Sequence, residues 1–144
     1  MVFLFFIALS LMPVNANSQS DNSQTAKNKK LLEKYYQEIM TKHNLVSLDL
    51  FITEDYLDHS PEKGQQPGRS GLSAELKNVF TSFPDLAVSV VRILAEGDFV
   101  AVTYNVTATT KDASGKIQNI NAEGVDMYKM KNGKASEHWG YQKQ

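Results

Sequence analysis

Two residues near the C-terminal end could move protons. Asp126 sits between Val125 and Met127 in a stretch that reads as a strand, and His138 lies beside Trp139 in the next one. A carboxylate facing an apolar pocket has its charged form disfavoured by burial, which suits it to general acid or base work near neutral pH. A histidine next to it would shuttle the proton or donate to a substrate oxygen. The structural alternatives are an Asp126 bonded to a neighbouring strand or helix end and a buried His138 satisfied by a backbone carbonyl. His59 follows Asp58, so a carboxylate could orient its ring at a pocket mouth; it could equally anchor a loop beside Pro61. Arg69 could bind an anionic substrate group, although a salt bridge at the surface or at a helix start is the stronger reading. Tyr104 shares a face with Val102 and Val106 and is either pocket lining or core, Trp139 reads as pocket wall or dimer core, and Asp85 reads as a turn cap. His43 falls in a charged helix end and reads as solvated. The three histidines show no metal-ligand spacing, the chain has no cysteine, and no phosphate loop or nucleophile elbow appears, so no metal or cofactor is expected.

The elements that must position these residues divide the chain in two. A helix is expected over 26–43, with Leu32, Tyr35, Tyr36, Ile39 and Met40 on one stripe, and a short second helix over 47–52. Ser70 could cap a third, whose apolar residues Leu72, Leu76, Val79, Phe80 and Phe83 recur at helical spacing until Pro84 stops it. After Pro84 the pattern is that of antiparallel strands: 86–95 with Leu86, Val88, Val90 and Arg92 on one side, then Val100, Val102, Tyr104 and Val106 on one face of the next. A long strand follows over 117–130 and a last one over 135–141. Turns are read at Glu96-Gly97-Asp98, Ala113-Ser114-Gly115 and Asn132-Gly133. Helices followed by a meander predict an α+β domain with N-terminal helices packed on one face of a curved, mostly antiparallel sheet. The last hairpin decides the pairing of the two candidates. A two-residue loop would face Lys131 with Lys134 and send His138 to the opposite face from Asp126; a three-residue loop would pair Met130 with Lys134 and set Asp126 opposite His138. The three-residue loop is expected, because it avoids two lysines face to face.

With 144 residues and a formal charge of −1, the chain has room for one domain and shows no basic footprint for nucleic acid. The run Val2–Val14 is almost wholly apolar, too short to span a bilayer, and ends in Val14-Asn15-Ala16, a small-residue cleavage site. It reads as a signal peptide over 1–16, cut after Ala16, although no Lys or Arg precedes it, which leaves an uncleaved anchor open. The protein is expected in the periplasm or secreted, touching membrane only through that segment. Residues 17–26 read as a flexible polar tether and 27–144 as the domain.

Five segments resemble one family in their order and spacing. They are Asp55-Tyr56-Leu57-Asp58-His59-Ser60-Pro61; Gly68-Arg69-Ser70-Gly71-Leu72; Phe83-Pro84-Asp85-Leu86; Glu96-Gly97-Asp98-Phe99-Val100-Ala101-Val102; and Asp126-Met127-Tyr128 running through Asn132-Gly133-Lys134 to Glu137-His138-Trp139. Together they are similar to the SnoaL-like polyketide cyclases, or ester cyclases, of the nuclear-transport-factor-2-like superfamily. The resemblance implies a cone-shaped half-barrel with a deep pocket, dimerised through its sheet, and cofactor-free acid–base closure of a polyketide ring by aldol condensation. It adds Tyr128 to a substrate-binding set of Tyr104, Trp139 and Arg69, beside a catalytic set of Asp126, His138 and His59. Two positions depart from the family pattern: Ala108-Thr109-Thr110 stands where many members have Gly-Thr-His, and Gly140 where many have an acid after His-Trp. Three readings remain: a cyclase, isomerase or hydrolase acting on a small hydrophobic carbonyl compound; a non-catalytic pocket for an apolar ligand; and a dimeric interaction module. Asp126 and His138 weigh toward the first, Thr110 and Gly140 toward the others.

Overall fold

The computed structural model describes residues 16–142; of the expected signal segment only Ala16 falls among them. The described residues open with helix α1 (Ala16–Tyr35), which continues into a π turn over Tyr36–Thr41, followed by a 3₁₀ turn over Leu45–Leu50. Strand β1 (Ile52–Asp58) precedes helix α2 (Gly68–Ser82), and strands β2 (Ala87–Glu96), β3 (Phe99–Lys111), β4 (Ile117–Lys131) and β5 (Lys134–Gln142) complete the domain. The sheet order is β1-β5-β4-β3-β2, with β1 parallel to β5 and every other pair antiparallel. The result is the expected α+β arrangement: an open, five-stranded mixed sheet with the helices on its inner face.

Leu32, Tyr36 and Ile39 from the first helical segment meet Ile52, Val100, Val102 and Ala135 from the sheet in a core sealed from solvent. The alternation of β3 is as read: Val100, Val102 and Tyr104 are buried, and Ala108 extends the same face. In α2, Leu72, Leu76 and Phe80 are buried, and the helix ends at Ser82, immediately before Phe83-Pro84.

Five local expectations are corrected. The helix already runs from Ala16, the first described residue, through the stretch read as a tether, because 17–26 holds no glycine or proline to break it. The second helix is only a 3₁₀ turn that buries Leu48, and Ile52 instead opens β1, whose polar Thr53-Glu54-Asp55 centre masked its strand character. Ser70 does not cap α2. Pro67 holds that place, and the turn is closed by Gly71, where a Cβ would fall 1.6 Å from the Gln66 carbonyl oxygen. In β2, Val90 pairs with Tyr104 but Arg92 with Thr103, so Val91 is a bulge. The bulge turns Arg92 outward and brings Ile93 and Ala95 against the core. His43 is likewise not a solvated helix end: its ring stacks on Phe80 at 4.0 Å and its Nε2 lies 3.0 Å from the Leu86 carbonyl oxygen.

Candidate active site

The β4–β5 hairpin is where the site is made. Asn132 (φ 53°) and Gly133 (φ 74°) are both left-handed, so the loop has two residues and Lys131 pairs with Lys134. The expected three-residue loop is therefore corrected. The facing lysines do not repel into another register because each has its own partner: Lys131 Nζ lies 3.3 Å from Asp55 Oδ2, and Lys134 Nζ donates to the Asp49 carbonyl at 2.6 Å. Two residues further on, the register slips again. Met130 pairs with Ala135 but Lys129 with Glu137, leaving Ser136 as the extra residue, its hydroxyl donating to the Lys129 carbonyl at 3.1 Å. That bulge returns His138 to the inner face. Tyr128 stands opposite His138, Asp126 opposite Gly140, and the two candidates meet diagonally.

Asp126 is buried and surrounded by donors. The Tyr36 hydroxyl donates to Oδ2 at 2.5 Å, the Tyr128 hydroxyl to Oδ2 at 3.1 Å, and the Tyr104 hydroxyl to Oδ1 at 3.0 Å. His138 Nε2 lies 3.3 Å from Oδ1, an ion-pair contact whose geometry makes no hydrogen bond. On its other side His138 Nδ1 is 3.1 Å from Asp58 Oδ1, because parallel pairing sets Asp58 directly across from His138. Burial pushes the His138 imidazole toward its neutral form, but the flanking carboxylates of Asp126 and Asp58 outweigh it and raise its pKa to about 9. For Asp58, burial pushes upward; His138, the Ser60 N–H and Gln65 outweigh that and hold the carboxyl below its ordinary value. The Tyr36, Tyr104 and Tyr128 hydroxyls are pushed up, first by burial and then by the charge of Asp126, so they remain protonated donors.

This cluster forms one wall of a cavity of about 420 Å³ between α2 and the sheet, whose apolar side includes Leu72, Leu76 and Val79. A larger cleft of about 670 Å³ lies between α1 and the turns at Gly97 and Gly133, but it gathers no comparable set of acid and base groups. Among the described residues no three ligand-type side chains are placed to hold a metal ion.

Of the residues singled out from sequence, Asp126, His138, Tyr104 and Tyr128 come together here. His59 does not: its Nε2 lies 2.8 Å from Glu137 Oε2 and its ring lies flat on Trp139 at 4.2 Å. Strand alternation explains this, since Glu137 and Trp139 flank His138 and point to the opposite face of the sheet. Trp139 is thus outside the cavity. Arg69 is outside as well, donating from Nη1 to the Ile52 carbonyl at 3.1 Å, which ties the start of α2 to β1. Sequence reasoning missed the roles of Tyr36 and Asp58. Tyr36 was visible only as one of the apolar stripe of α1, and Asp58 as the neighbour of His59, while its partner is His138.

Comparison with solved structures supports the fold. A protein of Bacillus cereus assigned as a polyketide cyclase superposes with a TM-score of 0.75 at 21% identity, over 93% of this chain and 89% of that one. One of Acidithiobacillus ferrooxidans with the same assignment gives 0.70 at 24% identity, over 82% and 89%. AclR of Streptomyces galilaeus, assigned as a hydroxylase, gives 0.67 at 22% identity, over 83% and 90%. No curated protein matches the chain. The family model for the SnoaL-like polyketide cyclases matches residues 30–143, from the end of α1 through α2, all five strands and the Asp126–His138 cluster, and the chain belongs to that family.

Proposed function

We propose that the protein is a cofactor-independent acid–base enzyme that acts on a small, largely apolar carbonyl compound, with Asp126 as the general base. The observation that supports this is the placement of a buried carboxylate at ion-pair distance from a histidine, on the wall of a partly apolar cavity. A carboxylate so placed can take the proton from a carbon next to a carbonyl. The C–H electron pair then forms the enolate, which either attacks a second carbonyl in the same molecule to close a ring or is reprotonated at another carbon. Both outcomes keep the electrons within the substrate. His138, charged at neutral pH, balances the Asp126 carboxylate before the transfer and can return a proton afterwards.

A second reading, a binding pocket without catalysis, is favoured by one feature. Three tyrosine hydroxyls already donate to the two oxygens of Asp126, with His138 at ion-pair distance beside them, so a base would have to release one of those donors first. The two readings separate in one experiment. β-Keto esters and 1,3-diketones incubated in D₂O with the protein are followed by NMR for exchange of their α-protons. The enzyme should accelerate exchange, and Asp126→Asn should lose at least about a hundred-fold of it, within the 10²–10⁴ range of general base catalysis. Exchange that persists unchanged in Asp126→Asn removes Asp126 as the base, and ligand binding without any acceleration supports the pocket reading.

The proposal extends to place and assembly. The apolar Val2–Val14 run before Asn15-Ala16 supports export. The outer face of the sheet carries exposed Leu94, Phe99, Val125 and Tyr141, which supports a homodimer that covers them.

A further inference from the structure

The five inner tyrosines are not equivalent. Tyr36, Tyr104 and Tyr128 spend their hydroxyls on Asp126. Tyr35 and Tyr56 do not. Each is 4% exposed, each lines the cavity, and neither hydroxyl makes a hydrogen bond to another described residue. Neither hydroxyl oxygen is sealed from solvent, so on the lining of this cavity both are free to donate into it. Both rings also stand close to the reacting groups: Tyr35 lies 6.2 Å from the ring of Tyr128, Tyr56 lies nearly parallel to His138 at 6.5 Å, and Tyr128 and His138 are 5.0 Å apart.

We propose that Tyr35 and Tyr56 form the oxygen-binding subsite of the cavity, donating two hydrogen bonds to the substrate carbonyl and holding it as the enolate when Asp126 removes the α-proton. This rests on the reading of Asp126 as base. In the step the C–H bond breaks, its proton forms an O–H bond on Asp126, and its electron pair becomes the new C=C bond while the carbonyl π pair moves to oxygen. The two phenol protons stay on their own oxygens. They are suited to that. Burial comes first and nearby charge second (Asp126 for Tyr35, Tyr35 for Tyr56), and together they push both phenols far above their ordinary value. Donors of this kind, fixed in place before charge develops, favour the transition state over the neutral ketone. The substrate class is correspondingly narrowed to compounds whose enolisable carbonyl oxygen can enter between Tyr35 and Tyr56.

The test uses 4-nitrophenol, whose absorbance distinguishes phenolate from phenol, titrated into the Asp126→Asn protein, which carries the local charge that remains after the proton has been taken. The phenolate should bind, and Tyr35→Phe or Tyr56→Phe in that background should each weaken it roughly ten-fold, the share of one hydrogen bond to an anion. Because neither hydroxyl has a protein partner, both single variants of the otherwise native chain should melt at the wild-type temperature. Phenolate binding that is absent, or equal in the Phe variants, overturns the proposal, as does a lowered melting temperature with unchanged binding. Neither readout needs the base, so loss of α-proton exchange in Asp126→Asn and loss of phenolate binding in the Phe variants remain separate results.

Discussion

His138 lies between two carboxylates, and its proton is a matter of stability as much as of chemistry. Its pKa in the fold is about 9 against an ordinary 6.5, so the folded state holds the proton more tightly than the unfolded chain. The stabilisation is therefore fully present below pH 6.5 and is lost as pH rises through about 9. For a side chain only 16% exposed it amounts to on the order of 3 kcal/mol. Urea unfolding followed across this range should show that decline, and His138→Gln should flatten it; an equal slope in the variant would assign the decline elsewhere. Gly140 works at the same scale. A Cβ there would stand 3.1 Å from His138 Cε1 and 3.5 Å from Asp126 Oδ1, in the space the imidazole needs. Gly140→Ala should keep the fold at a cost of about 1–3 kcal/mol. Its His138 should titrate closer to 6.5 by NMR, and α-proton exchange should slow at least about ten-fold. What reads in sequence as the loss of an acid after His-Trp is, in the fold, the room that lets His138 approach Asp126.

At the scale of elements, helix α2 is held by Leu72, Leu76 and Phe80, and Phe80 also carries the stacked ring of His43. Phe80→Ala should cost roughly 3–5 kcal/mol in chemical denaturation, and a loss under about 1 kcal/mol would show that α2 is seated by other contacts. The helix was legible because its apolar spacing is set by local geometry. Strand register was less so. Two bulges, at Val91 and Ser136, each add one residue to one strand, and a one-residue slip exchanges the faces of everything beyond it. Alternation read along a single strand cannot show this, because a bulge is a relation between strands. Arg92 was placed inward for that reason. Asp126 and His138 did end on one face, by the two-residue loop and a bulge rather than by the three-residue loop.

The whole molecule is a half-open cone whose inner face holds the cavity and whose outer face exposes Leu94, Phe99, Val125 and Tyr141. If two copies cover that face, light scattering should give twice the protomer mass, and Phe99→Glu with Val125→Glu should give a monomer that still binds 4-nitrophenol in the Asp126→Asn background. A wild-type monomer at micromolar concentration would rule the arrangement out. Mass spectrometry of exported protein should find an N-terminus at Asn17; a full-length, membrane-retained species would point to an anchor instead.

Local order in this protein was already determined by sequence. The stripes of α1 and α2, the stop at Pro84, the alternation of β3 and the turns at Gly97, Gly115 and Gly133 all arise from residues within a few positions of one another. Asp126, flanked by Val125 and Met127, and His138 in the next strand were also singled out from sequence, beside structural alternatives, and they share one wall of the cavity. Tertiary structure alone decided their partners. Asp58 meets His138 through a parallel pairing across 80 residues, and Tyr36 reaches Asp126 across 90. The same pairing and alternation put His59 and Trp139 on the far side of the sheet. Contacts of that span depend on how strands are ordered and where a bulge shifts them, which are properties of the assembled sheet and leave no periodic trace in any one segment.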